Sequence, residues 1–363
     1  MLYPLLFQPN LHTVVWGGSR LTAWKQLPAA AAPVGESWEV SAVPSSPSVV
    51  ANGPWQGRLL PDVVAEHPAG ILGKAVAARY GNKLPLLVKF IDAERDLSIQ
   101  VHPDDVMAQR EHGKMGKTEM WYVIDAKPGA FLYAGFKDSL SPDDYRRRVA
   151  DGTITDTLAR HEVHPGDVFY IPAGRVHAIC GGIMLAEVQQ SSDVTYRIFD
   201  YNRPGMDGKP RELHTDLAAK ALDFNVYDRY KTEYKEYTDR ANRCIDAPFF
   251  SVRVVNVEGS FHRNLMKYDS FIITLCVKGD CRLRIRKRPA DSPESSATGA
   301  VSAVPSPHEV LLREGWSCLI PAAIADYDII PTSGRAQLLD AFIDNKNRSL
   351  LNRFTRFLHI TNQ

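Results

Sequence analysis

Four side chains carry the strongest chemical signal in this 363-residue sequence. In Ser98-Ile99-Gln100-Val101-His102-Pro103, Ser98, Gln100 and His102 fall on one face of an extended strand, and Ile99 and Val101 on the other. In the next strand pattern Glu119 shares a face with Trp121 and Val123. If these faces line an interior, their polar groups need partners, because an unpaired buried polar group costs about 1–3 kcal/mol. A divalent cation meets that need. His177 completes the set: it follows Gly166, Pro172 and Gly174, residues that set tight turns and aim an imidazole inward from a strand end. Two imidazoles, a carboxylate and an amide oxygen, with no thiolate, suit zinc, and manganese, iron or cobalt accept the same donors. A lone strand histidine is more often a hydrogen-bonded core or surface residue; the combination points to a metal site. His12, His67, His112, His161, His164, His214, His262, His308 and His359 show no comparable companions.

The elements that must position these groups are mostly strands. PLLVKFI, SIQVH, EMWYVID, GDVFYIPA and MLAEVQQ are short two-fold patterns separated by Gly, Pro and Asp turns. Helical patterns are few, at about residues 56–80, 141–151 and 212–223. The first is interrupted at Pro68-Ala69-Gly70 and reads as two short helices; the second opens with Ser141 as N-cap and Pro142 at the first helical position. Strand patterns resume from Phe249 in FFSVRVVNVE, SFIITLCVKG, CRLRIRKR and WSCLIPAA. Residues 289–308, rich in Pro, Ser and Ala, read as a flexible loop. Gly166-Asp-Val-Phe-Tyr-Ile-Pro172 is echoed by Gly315-Trp-Ser-Cys-Leu-Ile-Pro321, but the stretch next to the second copy has no histidine, and the spacing leads to Asp326. The expected fold is therefore mainly β, a sandwich or barrel type in two domains, residues 1–240 with the chemistry and residues 241–363 without it.

Composition removes whole classes of function. Lys plus Arg number 43 against 42 for Asp plus Glu, a balance of +1 that lacks the basic excess of a nucleic-acid binder. The run Arg282–Arg288 alternates with Leu283 and Ile285 and reads as the solvent face of a strand. No apolar run reaches the length of a membrane span. Five scattered cysteines without a CxxC pair argue against a disulfide framework and for a reducing, cytoplasmic setting.

Taken together, SIQVHPDD, GKTEMWYV, YIPAGRVHAI and AEVQQSSDVTYRIFDYNR, with Trp16-Gly17-Gly18 and Gly35-Glu36-Ser37-Trp38-Glu39-Val40-Ser41, resemble the type I mannose-6-phosphate isomerases in their shorter bacterial form. The resemblance covers about residues 1–225 and weakens beyond. It implies two cupin-type jelly-roll barrels with a few packed helices. It further implies a zinc-dependent isomerase that interconverts mannose 6-phosphate and fructose 6-phosphate through an enediol or enediolate. By motif, the metal ligands are Gln100, His102, Glu119 and His177, and Lys117, Arg197, Glu187 and Asp193 fall on active-site positions. The residue types suit that chemistry: a Lewis acid polarises the sugar oxygens, Lys117 or Arg197 stabilises negative charge, and a base moves a proton between neighbouring carbons. Glu187, Asp193 and a metal-bound water are the candidates for that base. The substrate phosphate has candidates in Lys117, Arg175, Arg203, Lys209 and Arg211. Lys117 also reads as a solvated loop cation, and Arg197 with Asp193 as a surface ion pair.

Rival readings follow from the same donors. Two histidines and a carboxylate form the facial triad of a non-haem iron oxygenase, and a non-catalytic sugar-binding cupin would keep the metal as a structural staple. The expected partner is a small phosphosugar, with neither nucleic acid nor membrane, and the chain a monomer or homodimer.

Overall fold

The computed structural model describes residues 2–286 and 308–347, so the expected loop at 289–308 lies, but for His308, outside the described residues. The chain divides into two compact units: Pro9–Pro47 with Pro85–Glu233, and Met1–Gln8 with Ser48–Leu84 and Tyr234–Gln363. A single cut near residue 240 does not contain this division, since the chain's first eight residues and residues 48–84 belong with its C-terminal part.

The first unit is built on two antiparallel sheets. One has seven strands in the order Lys231–Thr232, Val168–Ile171, Glu119–Ala126, Ile183–Gln190, Leu86–Ala93, Val34–Val40 and Leu11–Gly18. The other has five, Tyr196–Phe199, Ile99–Val101, His177–Ile179, Phe131–Phe136 and Leu158–Glu162. Alternation sends Ile91, Trp121, Val123, Phe169 and Leu185 of the larger sheet against Leu132, Ala134, Ala159 and Ile179 of the smaller, in one buried cluster. Residues of the opposite parity in the smaller sheet, Ile99, Val101, Ala178, Tyr196 and Ile198, pack instead with Tyr145, Ala218 and Leu222. Those come from helix Pro142–Ala150 and from helix Thr215–Ala221 and its end. Ser141 caps the former, its hydroxyl accepting from Asp144 N–H at 3.0 Å, as the sequence indicates. Two helices that the sequence reading lacks are Arg20–Trp24 and Asp105–His112, the latter capped by Asp104 at 2.8 Å from Met107 N.

The second unit repeats the plan. Its larger sheet runs Leu5–Leu6, Ser317–Ile320, Ile272–Lys278, Ala336–Phe342, Ser251–Val257, Arg240–Asp246, and its smaller one Phe261–Asn264, Asp326–Pro331, Cys281–Ile285, Glu309–Leu312. But for the edge strands Leu11–Gly18 and Tyr196–Phe199, which have no counterpart here, this order matches the first unit, and both are jelly-roll barrels. Where two helices are expected at 56–80 there are three, Leu60–Glu66, Pro68–Leu72 and Lys74–Tyr80. Pro68 opens the middle one rather than breaking it, and Gly73, at φ 95°, separates it from the third. A Cβ on Gly73 would stand 2.0 Å from the carbonyl oxygen of Asp269.

Inside the second barrel the polar groups answer one another. Arg263 donates from Nε and Nη2 to Asp340 Oδ2 at 3.0 and 2.7 Å, and Thr274 donates to Oδ1 at 2.9 Å. Register pairs Asp340 with Thr274, as it pairs Glu187 with Trp121 in the first barrel. The basic strand is a solvent face, with Arg282 and Arg284 paired to Glu309 and Arg286 to Asp328.

Candidate metal centre and its surroundings

Cross-strand pairing brings the expected ligands together. His177 pairs with Gln100, and Gln100 with Arg197, so these three share the inner face of the smaller sheet. His102 follows Gln100 by two residues on that face. From the larger sheet, Glu119 and Trp121 point inward, and Glu187 pairs with both Trp121 and Lys89. One end of the barrel interior is thus apolar and the other polar.

The tautomers of both histidines are set by carbonyls. His102 Nδ1 donates to Val194 O at 3.0 Å and His177 Nδ1 to Arg175 O at 2.8 Å, which leaves each Nε2 with its lone pair. Those Nε2 atoms stand 3.4 Å from Oε2 and Oε1 of Glu119, respectively. Gln100 lies 3.2 Å from His177 Nε2 through its amide, and a half-turn of that amide presents Oε1 instead. Burial first, then Lys117, pushes His102 down to about 3, and burial lowers His177, so both imidazoles are neutral ligands. Burial opposes the charge on Glu119, but Lys117, 2.8 Å from Oε2, outweighs it and holds the carboxyl well below its usual range.

Two observations test whether a metal fits. A common ion bonded at about 2.0–2.1 Å separates its ligand atoms by roughly 3.4 Å; here each imidazole Nε2 is 3.4 Å from one oxygen of Glu119, Oε2 for His102 and Oε1 for His177, and the ligand atoms of the three residues lie within 4.8 Å of one another. Both carboxylate oxygens of the fully buried Glu119 also lack a well-aligned hydrogen bond, although Lys117 Nζ sits 2.8 Å from Oε2. Among the described residues, His102, Glu119 and His177 are the one metal-competent group of at least three His, Cys, Asp or Glu side chains. The residues fit the ion.

Lys117 is no solvated loop cation. It is buried, and its Nζ contacts His102 Nε2 at 2.9 Å as well as Glu119. Its backbone is fixed by the helix before it: Lys117 N donates to Pro103 O, and Gly116 N to Asp105 Oδ1. Glu187 is buried too. Its Oε2 accepts from Trp121 Nε1 at 2.9 Å, while Oε1 accepts no hydrogen bond. Burial, then the nearby Glu119, raises its pKa. Arg197 faces inward, with Nη1 on the carbonyl of Glu212 at 2.9 Å and Nε unpartnered. Asp193 is not among them: it is exposed and pairs with Lys114 at 2.6 Å, not with Arg197. Of the further phosphate candidates, Arg175 lies over the rings of Tyr227 and Tyr230.

Sequence reasoning missed Lys89 and the role of Glu36. Lys89 Nζ lies 3.4 Å from Glu36 and 3.5 Å from Glu187, over the ring of Trp38, and Trp38 Nε1 donates to Glu36 at 2.5 Å. A lone lysine within the apolar run PLLVKFI was the available signal, and the strand Leu86–Ala93 that contains it is buried at all eight positions.

Comparisons with known proteins identify relatives of the chain. Residues 5–128 match the family model for the catalytic domain of type I phosphomannose isomerase. A probable mannose-6-phosphate isomerase of Bacillus subtilis is 34% identical over 286 residues, 78% of this chain and 88% of that protein. The mannose-6-phosphate isomerase of Streptococcus mutans is 36% identical over 261 residues, 72% and 81% of the two chains. The crystal structure of the mannose 6-phosphate isomerase from Bacillus subtilis superposes with a TM-score of 0.80 at 30% identity, covering 94% of this chain and all of that one.

Proposed function

The chain belongs to the type I phosphomannose isomerase family and is an isomerase, and from that premise we propose that it interconverts mannose 6-phosphate and fructose 6-phosphate through an enediol, with zinc held by Gln100, His102, Glu119 and His177. The observation that carries this reading is the buried carboxylate of Glu119, unsatisfied by hydrogen bonds, between two imidazoles whose tautomers leave both Nε2 lone pairs facing it. Zinc, when bound, supplies Lewis-acid polarisation of the sugar's carbonyl and neighbouring hydroxyl oxygens.

The remaining chemistry belongs to the chain. Isomerisation moves one proton from C2 of the aldose to C1 of the ketose and shifts the carbonyl the other way. Glu187 is the proposed base: its Oε1, which accepts no hydrogen bond and lies 3.5 Å from Lys89 Nζ, accepts the C2 proton and returns it to C1, while Trp121 Nε1 fixes the other oxygen. Its raised pKa strengthens it as a proton acceptor. Lys117 Nζ stabilises the oxygen that gains negative charge in the enediolate. Lys89 places one cation between Glu36 and Glu187 and so reduces the repulsion between the two carboxylates. Arg197 holds the anionic end of the substrate. Five free, buried cysteines fit a reducing cytoplasm.

The direct test runs fructose 6-phosphate to mannose 6-phosphate in deuterated water. Turnover with deuterium entering C2 of the product is expected. No turnover contradicts the activity, and turnover without label over many cycles contradicts the enediol route.

A further inference from the structure

A short turn, residues 172–175, reaches every strand that carries a histidine or carboxylate ligand. Gly174 N–H donates to the carbonyl of His102 at 2.9 Å, and Ala173 N–H donates to the hydroxyl of Thr118, the residue before Glu119, at 3.2 Å. The carbonyl of Arg175 accepts from His177 Nδ1 at 2.8 Å. The turn closes on itself through Arg175 N, which donates to Pro172 O at 3.1 Å. A displacement of this turn therefore turns the ring of His177 directly, and pulls on His102 and Thr118 through one hydrogen bond each.

The segment 223–230 holds the turn in place. Asp223 N donates to Gly174 O at 2.8 Å. The guanidinium of Arg175 lies over the rings of Tyr227 and Tyr230, 4.9 and 5.0 Å from their centroids, while its Nη1 donates to Tyr170 O at 3.2 Å. A cation over aromatic faces is attracted by the ring electrons, and a planar guanidinium suits that seat better than an ammonium. The rings are themselves anchored. Tyr230 donates its hydroxyl to Phe136 O at 2.8 Å and accepts from Tyr227 N at 3.1 Å, and the Tyr227 hydroxyl donates to Asp223 Oδ2 at 2.6 Å. Tyr230 also packs on Gly135, where a Cβ would stand 2.1 Å from its ring, and Gly135 N donates to the carbonyl of Val176, between Arg175 and His177, at 2.8 Å. The segment ends in the edge strand Lys231–Thr232, paired with Phe169 and Val168.

We propose that Arg175 is a positioning residue of the metal centre: gripped by Tyr227 and Tyr230, it holds its own carbonyl on His177 Nδ1 and so fixes the direction of the Nε2 lone pair. The inference rests on the reading of His177 as a metal ligand and goes beyond it, since the side chains of Arg175, Tyr227 and Tyr230 stand outside the proposed ligand set. The test measures zinc affinity of the full chain by competition with a chromophoric chelator. It also records the visible absorption of the cobalt(II)-loaded chain, whose band positions and intensities follow the ligand geometry. Arg175→Met should weaken zinc binding about ten- to a hundredfold, the usual worth of a group that orients a histidine ligand, and change the cobalt bands. Tyr227→Leu, at a residue 43% exposed, should do the same to a smaller extent, and Tyr227→Phe, which keeps the ring, should restore most of the affinity. A merely structural arginine would lower the thermal midpoint of the metal-free chain and leave zinc affinity and cobalt bands as they were; that result overturns the proposal. If Arg175→Met fails to fold, Tyr227→Leu carries the same two readouts, and unchanged values there overturn it equally. A wild type that binds neither zinc nor cobalt removes the metal reading together with this one, whereas wild-type binding that the variants retain in full removes this one alone.

Discussion

Replacing Arg263 by Met isolates what holds the second barrel together. Arg263 and Asp340 form an ion pair whose side chains are 10% and 0% exposed, with two guanidinium hydrogen bonds to a single oxygen. Methionine fills much of the volume but leaves the carboxylate with the hydroxyls of Thr274 at 2.9 Å and Tyr327 at 3.4 Å. Breaking a buried pair from one side costs about 3–5 kcal/mol, because the remaining charge stays in the interior. For a unit of this size that lowers its midpoint by roughly 10 °C. Adding Asp340→Asn removes the stranded charge, so the double variant should recover about half or more of the loss. Differential scanning calorimetry on the two singles and the double gives the cycle. A deficit below about 1 kcal/mol for Arg263→Met, or a double variant as unstable as the sum of the singles, would refute the view that this pair is a charge-matched staple of the second barrel.

Other consequences are equally open to measurement. His102→Ala and His177→Ala should each lose bound metal, read as zinc content after dialysis, by more than tenfold, with near-wild-type circular dichroism; full retention in both would contradict the ligand assignment. Trp121→Phe removes the donor to Glu187 Oε2 at 2.9 Å and should cost about 1–3 kcal/mol in urea denaturation while lowering kcat. Gly116→Ala sets a Cβ 2.5 Å from the backbone of Asp104 and Asp105, so the segment carrying Lys117 must move; kcat should fall with little change in zinc content, and a wild-type kcat counts against the placement of Lys117.

The legible part of the sequence was local. Alternation in SIQVH and EMWYV assigned Gln100, His102, Glu119 and Trp121 to inward faces, and the glycine and proline turns before His177 aimed its ring, because a strand's two-fold period fixes direction without knowledge of neighbours. What register decides was not legible. Lys89 and Glu36 become site residues only because Glu187 pairs with Lys89 and Trp38 pairs with Lys89 from the other side. Asp193, four positions before Arg197, looked like its partner, yet the strand turns it outward to Lys114. The N-terminal strand Leu5–Leu6 adds to the sheet edge at Ser317–Ile320, a pairing across more than three hundred residues that no local pattern announces. The echo of Gly166–Pro172 in Gly315–Pro321 did report a shared plan, since both segments enter the same position of matching sheets.

The central claim is that a metal at His102, Glu119, His177 and Gln100 enables isomerisation of a phosphosugar. A coupled assay of fructose 6-phosphate conversion to mannose 6-phosphate, before chelation, after complete metal removal and after zinc is restored, addresses it most directly. Activity that vanishes with the metal and returns with one equivalent of zinc per chain is the expected result. Undiminished turnover by verified metal-free protein would contradict it.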